Sequence, residues 1–526
     1  MTVLAPPRAL QPDLLRQLES TSLLRFIVCG SVDHGKSTLI GRLLYGAGVL
    51  FDDQLDALDR DSRRHGTNGG ERDFSLLLDG LAAEREQNIT IDVAYRFFTT
   101  PRRKFIVADA PGHEQYTRNM ATGASTADVA LLLVSASEGV TRQTRRHAMI
   151  VSMLGVRRFV VVINKMDLVD WSRSRFSALE AEARALAGEV GIDQVVIIPV
   201  AARSGDNVVT CSHHMDWYRG PTLLEHLERV EAGRQSGSAV FRMPIQLVNR
   251  PNSDFRGYAG MVAGGEVRPG DSVRILPPGT TTQIERIVTQ DGDLSIAIAG
   301  QSVTLTFTDT VDASRGNVIV GAVEPAQVAN RVFARFVWFD DTPLTPDRRY
   351  LLKIATATVS ARIEHGLEVV DLDTFRSSPA ERLCSNDIGT GFVKFDRPIA
   401  VDRYADNAMT GSFILIDAES YDTVGIGMIE TADPAGTPAQ SPEKWMRRRL
   451  VRLTETHRRS LAKAVSWRAT GSLDTFLVAL VITGNVHLAG GVALTEVLTK
   501  ILIYYLHERV WALITWGKAA ANHGFA

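Results

Sequence analysis

The stretch Gly30-Ser31-Val32-Asp33-His34-Gly35-Lys36-Ser37 constrains this chain more than any other. It follows an apolar run, Leu23 to Cys29, that reads as a buried strand, and precedes Thr38 to Leu44, which reads as the start of a helix. Strand, glycine-rich loop and helix in that order is the setting in which G-x-x-x-x-G-K-[ST] holds phosphate. Backbone N–H groups of such a loop line an anion nest, and the helix N-terminus adds positive potential. The expected phosphate-binding set is therefore Gly30, Ser31, Val32, Asp33, His34, Gly35, Lys36, Ser37 and Thr38. Lys36 is placed to reach the β- and γ-phosphates, and Ser37 Oγ to ligate Mg²⁺.

With 526 residues the chain has room for three or four domains. A net charge of −2 gives no electrostatic case for nucleic-acid binding, and none is expected. Cys29, Cys211 and Cys384 are too far apart for a metal or redox motif, so free buried thiols and a reducing, cytoplasmic setting are expected. The N-terminal 22 residues contain Pro6, Pro7, Asp13 and Glu19 and no apolar core, so they read as a lead-in and not as a secretory signal.

Further motifs follow in chain order. Asp52 to Arg72 is polar and reads as an excursion with its tip near Gly66 to Gly70. Thr90, between the phosphate loop and the next motif, is a candidate second hydroxyl ligand for Mg²⁺ in a segment ordered by the γ-phosphate. A strand at Phe105 to Ala108 ends in Asp109-Ala110-Pro111-Gly112-His113. Asp109 is placed to hold the metal through water, and Gly112 to offer an unobstructed N–H to the γ-phosphate. His113 is placed to orient the attacking water, so His113, Lys36 and Thr90 are the candidate catalytic residues. Another apolar strand, Val129 to Val134, leads to a helix through Thr144, His147 and Ile150.

The run Phe159 to Ile163 enters Asn164-Lys165-Met166-Asp167. At the carboxyl end of a strand, Asp167 can accept from N1–H and the 2-amino group of guanine, a donor pair that adenine lacks. Lys165 can lie over the base, and Asn164 can tie this loop to the phosphate loop. A last strand, Val195 to Val200, leads to Ala201, Ala202 and Arg203, which close over the base from the other side. Alternating strands and helices through about residue 227 point to a doubly wound parallel sheet.

These four motifs in order resemble the translational class of GTP-binding proteins, typified by elongation factor Tu. A longer likeness, to the large GTPase subunit of bacterial sulfate adenylyltransferase, runs through Ala83 to Arg96, Asp109 to Ser125 and Trp217 to Leu224. It continues in Val248 to Asn252, Asp254 to Gly260 and Ala408 to Asp417, covering roughly residues 20 to 430. Two positions depart from the family: Asn88 stands where it has Gly, and Ala201-Ala202 where it has Ser-Ala.

The resemblance implies a multidomain fold: an α/β P-loop GTPase domain (23–236) and two antiparallel β-barrels (239–326 and 328–430). Short β-prone runs with Gly, Pro and Asn turns from about Ala239 support the barrels independently. A proline-bearing linker (431–443) then leads to a basic segment and an apolar stretch, Leu473 to Trp516, read together as a helical hairpin unit over 444–526. Two spans between Gly471 and Leu506 are barely long enough to cross a bilayer. Arg468, Arg509 and Lys518 flank them in the positive-inside sense. Attachment to the cytoplasmic face of the inner membrane is the preferred reading, and a soluble hairpin the alternative.

The resemblance further implies GTP and Mg²⁺ as cofactors and a small catalytic adenylyltransferase subunit as partner. That partner would form adenosine 5′-phosphosulfate and diphosphate from ATP and sulfate, driven by GTP hydrolysis here. The chain has no S-G-G-x-D-S-type pyrophosphate loop, which places adenylyl transfer elsewhere, and no second phosphate loop for an adenylylsulfate kinase. A translation factor that carries aminoacyl-tRNA and a membrane-tethered GTP switch are the competing readings.

Overall fold

The computed structural model describes residues 22–65, 72–77, 90–192, 194–231, 240–252, 255–323, 326–346 and 348–434. The expected lead-in up to residue 21, the Ala83 to Ile89 stretch, the end of the linker and the apolar hairpin lie outside the described residues.

Five runs of apolar residues form a parallel sheet, because side chains on both faces of each strand are buried. They are β1 (Leu23–Gly30), β3 (Lys104–Asp109), β4 (Val129–Ser135), β5 (Arg158–Asn164) and β6 (Gln194–Pro199), with β2 (Ala94–Thr99) antiparallel on the edge of β3. The spatial order is β2-β3-β1-β4-β5-β6. Sequential direction reverses at β1, which pairs with β3 on one side and β4 on the other. A crevice at the carboxyl end of such a switch point is where open α/β sheets bind ligands, and the glycine-rich loop leaves β1 there.

The two faces separate by the two-residue strand period. Leu24, Phe26, Val28, Leu131, Leu133, Val160 and Val162 face helix α1 (Lys36–Gly46). Ile27, Cys29, Leu132, Val134, Val161 and Ile163 face α3 (Thr117–Ala124), α4 (Arg142–Met153) and α5 (Arg173–Glu189). The polar stretch after α1 is not an irregular excursion throughout: Asp52–His65 is helix α2, with Asp52 and Asp53 in its first turn. Leu58 and Ser62 are buried, with Leu55 and Ala57 partly so, and this short helical stripe is masked by the Asp and Arg residues around it. Helix α6 (Leu223–Arg229) closes the domain.

Two antiparallel sheets follow. In the first, Arg242–Pro244 pairs with Val318–Gly321 while Leu247–Asn249 pairs with Gly257–Met261. One bent segment thus joins both ends of the sheet. A Cβ on Gly260 would stand 2.3 Å from Pro244 O, so this closure needs glycine. In the second, Gln327–Trp338 pairs with both Ile388–Val401 and Thr423–Pro434, closing a six-stranded ring. Of the three thiols only Cys29 is buried; Cys211 and Cys384 are exposed on loops, which corrects the expectation for those two. Among the described residues no helix is long and apolar enough to cross a membrane.

Candidate functional site

The loop after β1 bends through left-handed backbone at Asp33 (φ 61°) and Gly35 (φ 85°) before α1 begins at Lys36. Gly35 also clears the Asn164 amide, whose Nδ2 would lie 2.5 Å from an added Cβ. Lys36 is buried and donates from Nζ to Ser31 O at 2.9 Å and Gly30 O at 3.3 Å. Burial pushes its ammonium pKa down, opposed by the Asp109 carboxylate. The side chain of His34 turns away from the loop, with Nδ1 3.0 Å from Leu133 O and Nε2 3.5 Å from Glu138.

At the end of β3, Asp109 is buried, and its Oδ2 accepts from Ser37 Oγ at 3.4 Å. A hydroxyl and a carboxylate side by side are hard oxygen donors. Mg²⁺ takes one or two such groups and keeps its remaining positions for phosphate and water, so the pair fits that ion. Gly112 comes closest to the loop: a Cβ there would stand 2.3 Å from Lys36 Nζ and 2.9 Å from Val32 N. His113 is half-buried, and its Nδ1 accepts from Gln115 N–H at 3.3 Å.

At the other end Asn164 donates to His34 O at 2.8 Å and accepts from Ala202 N–H at 3.0 Å. It thereby links the phosphate loop to the loop after β6. Lys165 takes left-handed backbone (φ 62°) to start the turn Met166–Val169, which carries Asp167.

One cleft of about 570 Å³ gathers Val32, Asp33, Gly35, Lys36, Ser37, Thr38, Thr90, Gly112, His113, Asn164, Lys165, Asp167, Ala202 and Arg203. Gly30, Ser31, His34, Asp109 and Ala201 do not line it; Ala201 is fully buried and its N–H donates to Asp206 O. Asp73, Ser75 and Leu168 line it without having been singled out. Asp73 and Ser75 arrive because Gly41 lets α1 approach the turn Phe74–Leu77: an added Cβ would meet Phe74 O at 2.2 Å. No local signal announces that contact. His147, deeper in the domain, was also missed; it accepts from Gly30 N–H through Nδ1 at 3.0 Å.

Residues 21–231 match the Elongation factor Tu GTP binding domain family, and 331–430 the GTP-eEF1A C-terminal domain-like family. Residues 461–512 match a family described as predicted membrane protein (DUF2061). Sulfate adenylyltransferase subunit 1 of Methylorubrum extorquens is 52% identical over 443 residues, which is 84% of this chain and 94% of that protein. The Vibrio vulnificus protein of that name is 50% identical over 81% of this chain and 90% of its own length. The Bifunctional enzyme CysN/CysC of Xylella fastidiosa is 51% identical over 79% of this chain and 67% of its own length. With half of the aligned residues identical across almost the whole of such a relative, the chain belongs to the sulfate adenylyltransferase subunit 1 family.

Proposed function

We propose that this chain is the GTPase subunit of a sulfate adenylyltransferase. GTP hydrolysis here drives a partner catalytic subunit to form adenosine 5′-phosphosulfate and diphosphate from ATP and sulfate. The observation that carries the reading is the convergence of Lys36, Ser37, Gly112, Asn164 and Asp167 on one cleft, in a chain of this family.

The loop N–H groups and Lys36 hold the phosphates. Lys36 gives up the two carbonyls it now holds, and its buried charge is worth most against anionic oxygens. Ser37, Thr90 and, through water, Asp109 would hold Mg²⁺, which supplies charge stabilisation at the β- and γ-phosphate oxygens. Gly112 presents its N–H to the γ-phosphate. With Nδ1 accepting from Gln115, the neutral His113 ring carries its proton on Nε2, a donor that holds the oxygen of the attacking water. That water forms the new bond to the γ-phosphorus as the bond to the bridging oxygen breaks, GDP leaves with that oxygen, and the water's proton passes to an oxygen of the released phosphate. Asp167 reads guanine, Lys165 covers the base, and Ala202 and Arg203 form the opposite wall, with Ala201 buried behind them.

The nucleotide domain (23–236) carries hydrolysis, and the barrels (239–326 and 328–430) receive the partner, a small adenylyltransferase subunit. Movement of the γ-phosphate-sensing segments at Thr90 and Gly112 passes the nucleotide state outward. Co-purification with that subunit, followed by assay of adenylylsulfate formation with and without GTP, tests this. GTP-independent formation, or GTP hydrolysis indifferent to ATP plus sulfate, would overturn it.

The tail match over 461–512 supports a second element of the reading: attachment to the cytoplasmic face of the inner membrane. Carbonate-resistant retention of the full chain, lost on truncation near Pro442, is the expected result. Equal solubility of both chains would refute it.

A further inference from the structure

Helix α4 carries a buried cation that the hydrolytic scheme above leaves unused. The Arg146 side chain is 7% exposed, yet its Nη2 lies 2.7 Å from Oε1 of Glu114, which is 53% exposed. Its Nη1 donates to Gln143 Oε1 at 2.7 Å, within the same helix. Glu114 is the residue after His113 and opens the short turn Glu114–Tyr116.

Taking a guanidinium out of water is costly, and an apolar side chain of similar size is often no less stable. The pair is therefore hard to explain as a stabiliser. It is readily explained as a device that fixes where the turn sits. The turn's other hydrogen bonds among the described residues are local: Gln115 N–H to His113 Nδ1, Tyr116 N–H to His113 O, and both Thr117 N–H and Thr117 Oγ1 to Glu114 O. None of them sets the turn against the rest of the domain.

Helix α4 is a firm support from which to do so. Thr141 and Thr144 form a reciprocal cap at its start. Just past its end, Tyr404 OH, from the region of the closed six-stranded ring, donates to Leu154 O at 2.7 Å.

We propose that Arg146 is a positioning residue for GTP hydrolysis. By gripping Glu114 it holds His113 at the γ-phosphate end of the cleft. The proposal rests on the reading that His113 orients the attacking water.

The test uses the full chain and two separate readouts: single-turnover GTP hydrolysis, and affinity for a non-hydrolysable GTP analogue. Arg146→Ala and Glu114→Ala are each expected to slow hydrolysis roughly tenfold to a hundredfold, the scale on which misplaced catalytic groups act. Analogue affinity should change by less than about twofold, which a collapsed nucleotide domain would not permit. The double variant should be no slower than either single one, since both remove one contact. Arg146→Lys should recover most of the rate. If Arg146→Ala does not fold, Glu114→Ala removes the same contact from its half-exposed side. Wild-type hydrolysis by Arg146→Ala or Glu114→Ala while His113→Ala is slow, or losses that multiply in the double variant, would overturn the positioning role alone. A wild-type rate in His113→Ala would overturn the reading beneath it.

Discussion

Asn164 makes two hydrogen bonds in opposite directions, one to the phosphate loop at His34 and one to the base-side loop at Ala202. Both ends of the nucleotide cleft are thus referred to one side chain at the end of β5. Asp167, three residues on, lines the same cleft, and in the proposed function it supplies the acceptor for N1–H and the 2-amino group of guanine. Replacing it by Asn puts a donor where the 2-amino group sits, which suits the 2-oxo group of xanthine instead. Asp167→Asn is expected to weaken GTP roughly a hundredfold or more and to favour XTP. Competition binding of the two nucleotides measures this, and an unchanged GTP preference would sink the assignment. His147 makes a different prediction. Burial, with Lys36, Arg146 and His34 nearby, lowers its pKa to about 3. The native ring stays neutral while the unfolded one takes a proton below its ordinary value of 6.5. Between those values the unfolded chain binds more protons, so this contribution to stability is present above the unfolded pKa and is lost as pH falls through the window. His147→Gln should therefore show a smaller drop in Tm from about pH 7 to about pH 5 than the parent does. An identical drop in both would remove His147 as the source.

The strands of the nucleotide domain were legible because they are unbroken apolar runs. Phe159 to Ile163 could hardly be anything but a buried strand, and it forms the middle of β5. That residues from these motifs would meet in one cleft was legible because each motif needs particular residue types at fixed spacing. Helix α2 was not, since its short stripe of Leu55, Leu58 and Ser62 is outnumbered by Asp and Arg, whose density reads as a solvated excursion. Asp73 and Ser75 were not, since their place in the cleft depends on Gly41 meeting Phe74 across the domain. Helix α6 lies between these cases. The spacing Thr222-x-x-Glu225 is a capping-box signature, and both bonds form: Thr222 Oγ1 accepts from Glu225 N–H at 3.3 Å, and Glu225 Oε2 from Thr222 N–H at 3.2 Å. The helix buries Leu223 and Leu227 on the α1 side of the sheet, and Arg103 donates to Leu227 O near its end. Thr222→Ala is expected to cost about 1 kcal/mol, read as a lower midpoint in urea with an unchanged slope. A midpoint equal to the parent's would show that the cap does not hold this helix.

At the scale of the molecule, the two antiparallel sheets are joined by a buried ion pair that their patterns did not reveal. Arg242 opens the first sheet and Asp402 follows the long strand Ile388–Val401 of the second, 160 residues away. The guanidinium meets the carboxylate through two bonds, Nε to Oδ2 at 2.9 Å and Nη2 to Oδ1 at 3.1 Å. Thr410 Oγ1 donates to the same Oδ2 at 2.6 Å, and Asn407 reaches across to Ala263 O at 3.0 Å. The side chains are 6% and 11% exposed, so removing one partner strands the other charge in a site already closed to water. Such a loss typically costs about 3–5 kcal/mol, whereas replacing both partners by apolar side chains of similar volume is often neutral. Arg242→Ala should therefore lower the unfolding midpoint sharply, while Arg242→Met with Asp402→Leu should recover most of the difference. The two variants also separate stability from coupling. If the barrels transmit the nucleotide state as one body, Arg242→Ala should uncouple adenylylsulfate formation from GTP more than it slows GTP hydrolysis, because the residues that line the cleft belong to the parallel-sheet domain. Equal losses in the two activities would mean that the pair only holds the fold together, and an unchanged midpoint in Arg242→Ala would mean that it does not do even that.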